Sequence, residues 1–169
     1  MSREYQVVPE ELTREGFLPY GQAILPPQLP APKQGKDWDC WVPLGALGEG
    51  APSVGIVLTR STPGIIRAME REPKTEFLLP ITGPVVQAVA LPGDLSDPGE
   101  RPAAATVRAF IVHPGQAIIM SPGTWHWAAL PLNQEEVLYY FATELRPPTS
   151  AGPWISFQNG DTTRLRIAA

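Results

Sequence analysis

Cysteine is nearly missing from this chain. Cys40 is the single one in 169 residues, so no disulfide can form within the chain, and a reducing cytoplasm is the compartment the sequence suits best. Positive charge is scarce too. Thirteen Lys and Arg stand against 17 Asp and Glu, a formal net charge of -4. With no cluster of basic residues, nucleic acid and anionic membrane surfaces are disfavoured as partners. No run approaches the roughly 18 apolar residues of a membrane span. The opening Met1-Ser2-Arg3-Glu4-Tyr5 carries no apolar signal core. Histidine is limited to His113 and His126, so any imidazole chemistry falls to one of these two.

Proline is what the chain has in excess. Its 21 prolines are roughly 12% of the residues, against about 5% on average. An interior proline removes a helical hydrogen bond and clashes with the preceding turn, so long helices are excluded. Short strands joined by rigid turns suit the composition. The length predicts one domain, able to bury roughly 70% of the surface of the unfolded chain without disulfides or structural metal.

The most helix-like stretch is Pro9 to Phe17, where Glu10 and Glu11 suit a first turn and Gly16 suits a stop. Leu25 to Lys36 holds four prolines and reads as an extended connector. From about Ser53 the pattern becomes β. Strands are expected at Val54 to Thr59, Ile65 to Arg71, Phe77 to Ile81, Val85 to Leu91, Val107 to Val112, Gln116 to Met120 and Val137 to Thr143. A weaker pair, Trp154 to Phe157 and Arg164 to Ile167, closes the chain. Many short strands at close spacing point to an all-β sandwich or barrel. The expected organisation is a single domain, with residues 1–52 as an N-terminal extension packing on the barrel, 53–146 as its core and 147–169 as a tail.

Two segments concentrate the chemistry. His126 lies in Ser121-Pro122-Gly123-Thr124-Trp125-His126-Trp127, just past a tight turn. His113, in His113-Pro114-Gly115, reads as a surface turn residue. The acidic partner is Glu70-Arg71-Glu72-Pro73-Lys74-Thr75-Glu76. On a strand Glu70 and Glu72 share a face, and Glu76 can return to that face from the next strand.

Taken together, these segments carry a resemblance. Glu70-x-Glu72-x-x-x-Glu76, then six residues and Gly83, has the spacing of the first cupin motif. Gly115, five residues, Ser121-Pro122-Gly123, two residues and His126 has the spacing of the second. Within the cupins the chain is most similar to the ureidoglycolate lyase family, from about Leu12 to Arg146. Leu12-Thr13-Arg14-Glu15-Gly16-Phe17-Leu18-Pro19-Tyr20-Gly21 resembles the family's opening. Arg60-Ser61-Thr62-Pro63 resembles its Arg-x-x-Pro, Glu70-Arg71-Glu72-Pro73 its Glu-Arg-His-Pro, and Trp125-His126-Trp127 its Trp-His-His. The departures are Glu72 for the family histidine, Glu76 for its glutamine, and Trp127 for its second histidine.

The resemblance implies a cupin double-stranded β-helix, a jelly-roll barrel with a short N-terminal helix, and a homodimer. It implies a lyase that splits ureidoglycolate into glyoxylate and urea, as in purine catabolism. Glu72, Glu76 and His126 become the expected catalytic groups, since paired acids and bases can move the two protons such a cleavage needs. Glu70, Glu72, Glu76 and His126 also form an expected ligand set for a divalent ion, with Ni, Mn, Fe or Zn suited to three carboxylates and one imidazole. Without metal, three close carboxylates raise at least one pKa. Arg60 is expected to anchor a substrate carboxylate through its guanidinium fork. Of the aromatic and apolar residues Trp125, Trp127, Met120, Tyr139 and Tyr140, the first and last are the expected pocket wall. Cys40 is expected as a small buried residue, with Trp38 and Trp41 beside it in core or interface. Two other functions stay open: a metal-dependent cupin of another class (isomerase, dehydratase or dioxygenase) on a less polar substrate, and a non-catalytic small-molecule-binding cupin.

Overall fold

Proline and glycine cut this chain into short strands, as the composition requires. The computed structural model describes residues 2–37, 39–144 and 153–167. The chain begins with β1 (Glu4–Val7), β2 (Glu10–Glu11), helix α1 (Arg14–Phe17) and β3 (Gly21–Ile24). A small hairpin of β4 (Lys33–Gln34) and β5 (Asp39–Cys40) follows, then the long β6 (Pro52–Arg60). Next come β7 (Ile65–Ile66), β8 (Ala68–Met69), β9 (Glu76–Pro80) and β10 (Val85–Ala90). After these run β11 (Arg108–Val112), β12 (Ala117–Met120), β13 (Trp125–His126), β14 (Leu130–Pro131) and the long β15 (Glu136–Glu144). The last two are β16 (Ile155–Ser156) and β17 (Thr162–Leu165).

Two sheets form the barrel. One has the order β3-β12-β9-β15-β6, all antiparallel. The other has the order β13-β10-β11-β2, with β14 also on β10. Their inner faces meet in one apolar cluster. Leu78, Ile118, Val137 and Tyr139 come from the first sheet, and Val85, Val89, Phe110 and Val112 from the second. A second cluster lies on the far side of β10, around Val86, Ala88 and Ala90, and is covered by Ile66, Met69, Phe157 and Leu165. Side chains alternate along a strand, so β10 feeds both clusters and is buried throughout. The result is an all-β barrel with one short N-terminal helix, as expected of the fold.

The expected helix shrinks to Arg14–Phe17. Thr13 caps it by accepting the Gly16 N–H at 3.0 Å. Glu10–Glu11 is a strand instead, parallel to Phe110–Ile111. A partner roughly a hundred residues away in sequence overrides the local propensity. The expected strand Ile65 to Arg71 is broken for a similar reason. Its halves pair with β17 and β16 from the C-terminal tail, and Glu70 forms a separate bridge with His126. The N-terminal extension supplies β2 and β3 to the two main sheets. Cys40 is half-buried rather than buried. Trp41 donates its indole N–H to the Leu29 carbonyl at 2.8 Å, and Trp38 lies outside the described residues. Among the described residues no helix is long and apolar enough to cross a membrane.

Phe110 anchors the inner cluster. Its ring meets Phe17 edge-on at 5.2 Å and Tyr20 at 5.7 Å, and its side chain is fully buried. Phe110→Ala is expected to cost about 3–5 kcal/mol of unfolding free energy, read from the midpoint of a urea titration.

Candidate active site

Two Pro-Gly turns bring the sequence motifs to the barrel mouth. In His113-Pro114-Gly115-Gln116 the Gln116 N–H closes on the His113 carbonyl at 2.9 Å, with Gly115 at φ 88°. In Ser121-Pro122-Gly123-Thr124 the Thr124 N–H closes on the Ser121 carbonyl at 3.1 Å, with Gly123 at φ 80°. Proline second and glycine third, with positive φ at the glycine, is the chemistry of a type II turn. The second turn carries the chain from β12 into β13. There Val89 pairs with His126 and Ala90 with Trp125.

The other edge of β13 takes Glu70. Its N–H donates to the His126 carbonyl at 3.0 Å, and the His126 N–H donates back at 2.9 Å. This pairing sets the Glu70 and His126 side chains on one face. Two residues on, the Glu72 carbonyl accepts the Gly123 N–H at 2.7 Å. Glu76 opens β9 opposite Met120 and Thr143. All four expected ligands, Glu70, Glu72, Glu76 and His126, line one cavity of about 400 Å³. Glu72, Glu76 and His126 are buried.

His126 is held at both ring nitrogens. Nδ1 lies 3.0 Å from the Thr124 carbonyl, which only accepts, so Nδ1 carries a proton. Nε2 lies 3.0 Å from a Glu76 carboxyl oxygen and 3.8 Å from one of Glu70. The His126–Glu76 contact therefore needs a second proton between its two heavy atoms. Burial is the largest influence on the imidazole and works against its charge. The Glu76 hydrogen bond and charge, the Thr124 carbonyl and the Glu70 charge together outweigh it, and the pKa rises above the ordinary 6.5.

The aromatic wall differs from expectation in phase. Tyr139, not Tyr140, lines the cavity with Phe141 and Thr143, as period 2 along β15 requires. Tyr140 is 44% exposed on the outer face. Trp127 lines the cavity with Met120 and meets the Trp154 ring edge-on with centroids 4.7 Å apart. Trp125 points the other way, into the second cluster. The Arg71 guanidinium lies over its ring at 4.4 Å, pairs with Glu100 and donates to the Asp97 carbonyl at 2.6 Å. Arg60 stands outside the cavity. It is exposed at the end of β6, 3.6 Å from Glu136, while Ser53 and Val57 are the residues of β6 that face the cavity. Gln87 was not expected at the site, yet it lines the cavity fully buried. Its signal in the sequence is a lone polar residue in the apolar run Val85-Val86-Gln87-Ala88-Val89-Ala90.

The ureidoglycolate lyase family model matches residues 52–149. The chain belongs to the ureidoglycolate lyase family. No curated protein matches the chain. Among solved structures, a variant of Bacillus subtilis oxalate decarboxylase is 14% identical with a TM-score of 0.43, covering 62% of this chain and 24% of that one. RmlC from Streptococcus suis, in complex with dTDP-D-xylose, is 14% identical with a TM-score of 0.42, covering 58% of this chain and 46% of that one. The chain thus spans about a quarter of the decarboxylase chain and about half of the RmlC chain.

Oxalate decarboxylase has Mn(II) centres. Here Glu70, Glu72, Glu76 and His126 offer suitable donor types, but among the described residues no three His, Cys, Asp or Glu side chains are placed to hold a metal ion. As placed, the set does not fit one. The face of Nε2 is turned to Glu76 at hydrogen-bond distance.

A raised imidazole pKa has a definite sign for stability. The folded state binds the His126 proton more tightly than the unfolded chain does. Its contribution is full below about pH 6.5 and is lost as pH rises through the folded value. The stability difference between the native protein and His126→Gln should therefore shrink from pH 6 toward pH 9, measured by urea unfolding. In Glu76→Gln the imidazole should lose its proton at lower pH than in the native protein, as read by NMR.

Proposed function

We propose that the chain cleaves the C–N bond of a carbinolamine, ureidoglycolate or a related 2-hydroxy acid, by proton transfer through His126 and Glu76. The observation that carries this reading is the imidazole held between two acceptors, Thr124 O and Glu76, on the wall of a ligand-sized cavity. Membership of the ureidoglycolate lyase family supports the substrate class.

Cleavage needs the substrate hydroxyl to lose its proton as the carbonyl forms. The departing nitrogen must gain a proton as the C–N bond breaks. Glu76 takes the hydroxyl proton, and Nε2 of His126 gives its proton to the nitrogen. The proton now on Glu76 passes across the 3.0 Å contact back to Nε2, and the pair returns to its starting state. Glu70 adds negative charge beside the imidazole and favours its protonated form. The anchor expected at Arg60 has no part in this scheme, because that side chain is outside the cavity. No step runs through a metal, because the donors do not fit one as placed. A second reading is the same proton transfer on a less polar substrate. Met120, Trp127 and Phe141 on the cavity wall favour it.

Ureidoglycolate supplied to the purified protein is expected to release glyoxylate. Glu76→Gln and His126→Asn should each lower kcat by about 10²- to 10⁴-fold, the usual worth of a general acid or base. No glyoxylate above the uncatalysed rate from the native protein would refute the lyase.

The homodimer implied by the family likeness belongs to the same proposal. Among the described residues no strand pairs with the second edge of β6. Its outer face exposes Val54, Ile56 and Leu58, next to Tyr140 on β15. A long apolar edge without charges along its middle is a surface proteins normally cover. Sedimentation should give a dimer for the native chain and a monomer for Ile56→Lys. A native monomer at micromolar concentration would remove the dimer from the proposal.

A further inference from the structure

Two buried polar atoms on the cavity wall, the Tyr139 hydroxyl oxygen and Gln87 Oε1, have no hydrogen-bond partner among the described residues. Tyr139 is 6% exposed, and among the described residues no hydrogen-bond partner reaches its hydroxyl. Burial pushes the phenol up to about 12, helped by the charges of Glu76 and Glu70, so its proton stays on and is available to donate. Gln87 is 1% exposed. Its amide nitrogen donates to the Trp127 carbonyl at 2.6 Å and the Ala88 carbonyl at 3.1 Å. These two bonds use both amide hydrogens and fix which end is oxygen. Among the described residues no donor reaches that oxygen. Native proteins rarely leave such groups unpaired, and each one asks for an explanation.

Both groups line the cavity that holds His126 and Glu76. They arrive from opposite sheets, Gln87 on β10 and Tyr139 on β15. One is a donor and the other an acceptor, so the ligand must bring the reverse. A carboxylate brings only acceptors and leaves Gln87 Oε1 without a donor. An ammonium brings only donors and leaves the phenol proton without an acceptor. A carboxamide or urea group brings a carbonyl oxygen and an N–H together.

We propose that Tyr139 and Gln87 are the specificity pair of this site, the Tyr139 hydroxyl donating to the carbonyl oxygen and Gln87 Oε1 accepting from the N–H of a neutral amide or urea group on the ligand. This rests on the reading of the cavity as the catalytic site, and it places the departing urea-like half of the substrate against these two residues. Discrimination of this kind is strong, because a ligand lacking either partner leaves a buried polar group unpaired.

The test uses the full chain and small probes that need no turnover. Methylurea, acetamide and acetate are titrated against the native protein and Tyr139→Phe, with binding read by NMR. The native protein should bind methylurea and acetamide more tightly than acetate. Tyr139→Phe should weaken both neutral probes about tenfold, the scale of one hydrogen bond. Its thermal midpoint should not fall, since the lost hydroxyl has no partner among the described residues. Gln87→Met should weaken the same probes, and Tyr139→Phe keeps the test readable if that variant unfolds. Equal binding of the neutral probes to native protein and Tyr139→Phe would overturn the inference, as would acetate binding as well as acetamide. Tyr139-dependent binding of methylurea in a protein that releases no glyoxylate would uphold the pair and refute the lyase. Glyoxylate release with an unchanged KM in Tyr139→Phe would do the reverse.

Discussion

The paired backbone hydrogen bonds between Glu70 and His126 set the register on which the rest of the site depends. They join the segment after β8 to β13, and alternation does the rest. Glu70 and His126 face the cavity together. Their neighbours Arg71 and Trp125 face the other way together, and the guanidinium stacks on the indole. The outward stack and the inward carboxylate–imidazole group are two sides of one pairing. A slip of one residue would exchange them, placing a tryptophan in the cavity and a histidine in the second apolar cluster. Arg71 is tied further to Glu100 and the Asp97 carbonyl. The loop carrying those residues therefore braces the register from outside.

Burial acts on the site in two directions. Removing water penalises the imidazolium, and that penalty is the largest single influence on His126. The same loss of water strengthens its attraction to Glu76 and Glu70. The second effect prevails because the Thr124 carbonyl also prefers a proton on Nδ1, which leaves Nε2 turned to the carboxylates. Tyr139 feels the same field with opposite consequence. Its phenolate is penalised by burial and by both glutamates, so it keeps its proton. One electrostatic environment thus holds a proton on each of two neighbouring groups of different chemistry.

What could be read in the sequence follows from the same geometry. The spacing from Glu70 to Gly83 and from Gly115 to His126 resembles the two cupin motifs, and that resemblance placed the acidic residues and the histidine together. The phase of β15 could not be read. Val137, Tyr139 and Phe141 are apolar, and so are Leu138, Tyr140 and Ala142, because the outer face of this strand is itself apolar. Alternation then gives no sign of which set faces inward. Arg60 fell to the same problem. It resembles a family position in sequence, but on β6 the cavity-facing residues are Ser53 and Val57, and Arg60 has the opposite parity. The N-terminal helix was over-extended because Glu10 and Glu11 are captured by β11, a partner no local pattern reveals.

Gln87 bears on what the barrel gives up for its site. Its strand supplies Val85 and Val89 to the inner cluster and Val86, Ala88 and Ala90 to the outer one. Every other position is apolar, and a valine at 87 would suit the inner face on packing grounds. The amide instead reaches across to the Trp127 carbonyl, just past His126. It therefore ties the end of β13 to β10 where paired backbone bonds give out. A bond from a serine or threonine hydroxyl could serve that purpose only at shorter reach, and neither would present a carbonyl oxygen to the cavity. Only an amide side chain can satisfy the backbone with one end and leave a fixed acceptor at the other. Asparagine, one methylene shorter, would draw that acceptor back toward β10. Among the ordinary residues, glutamine meets both demands at this position.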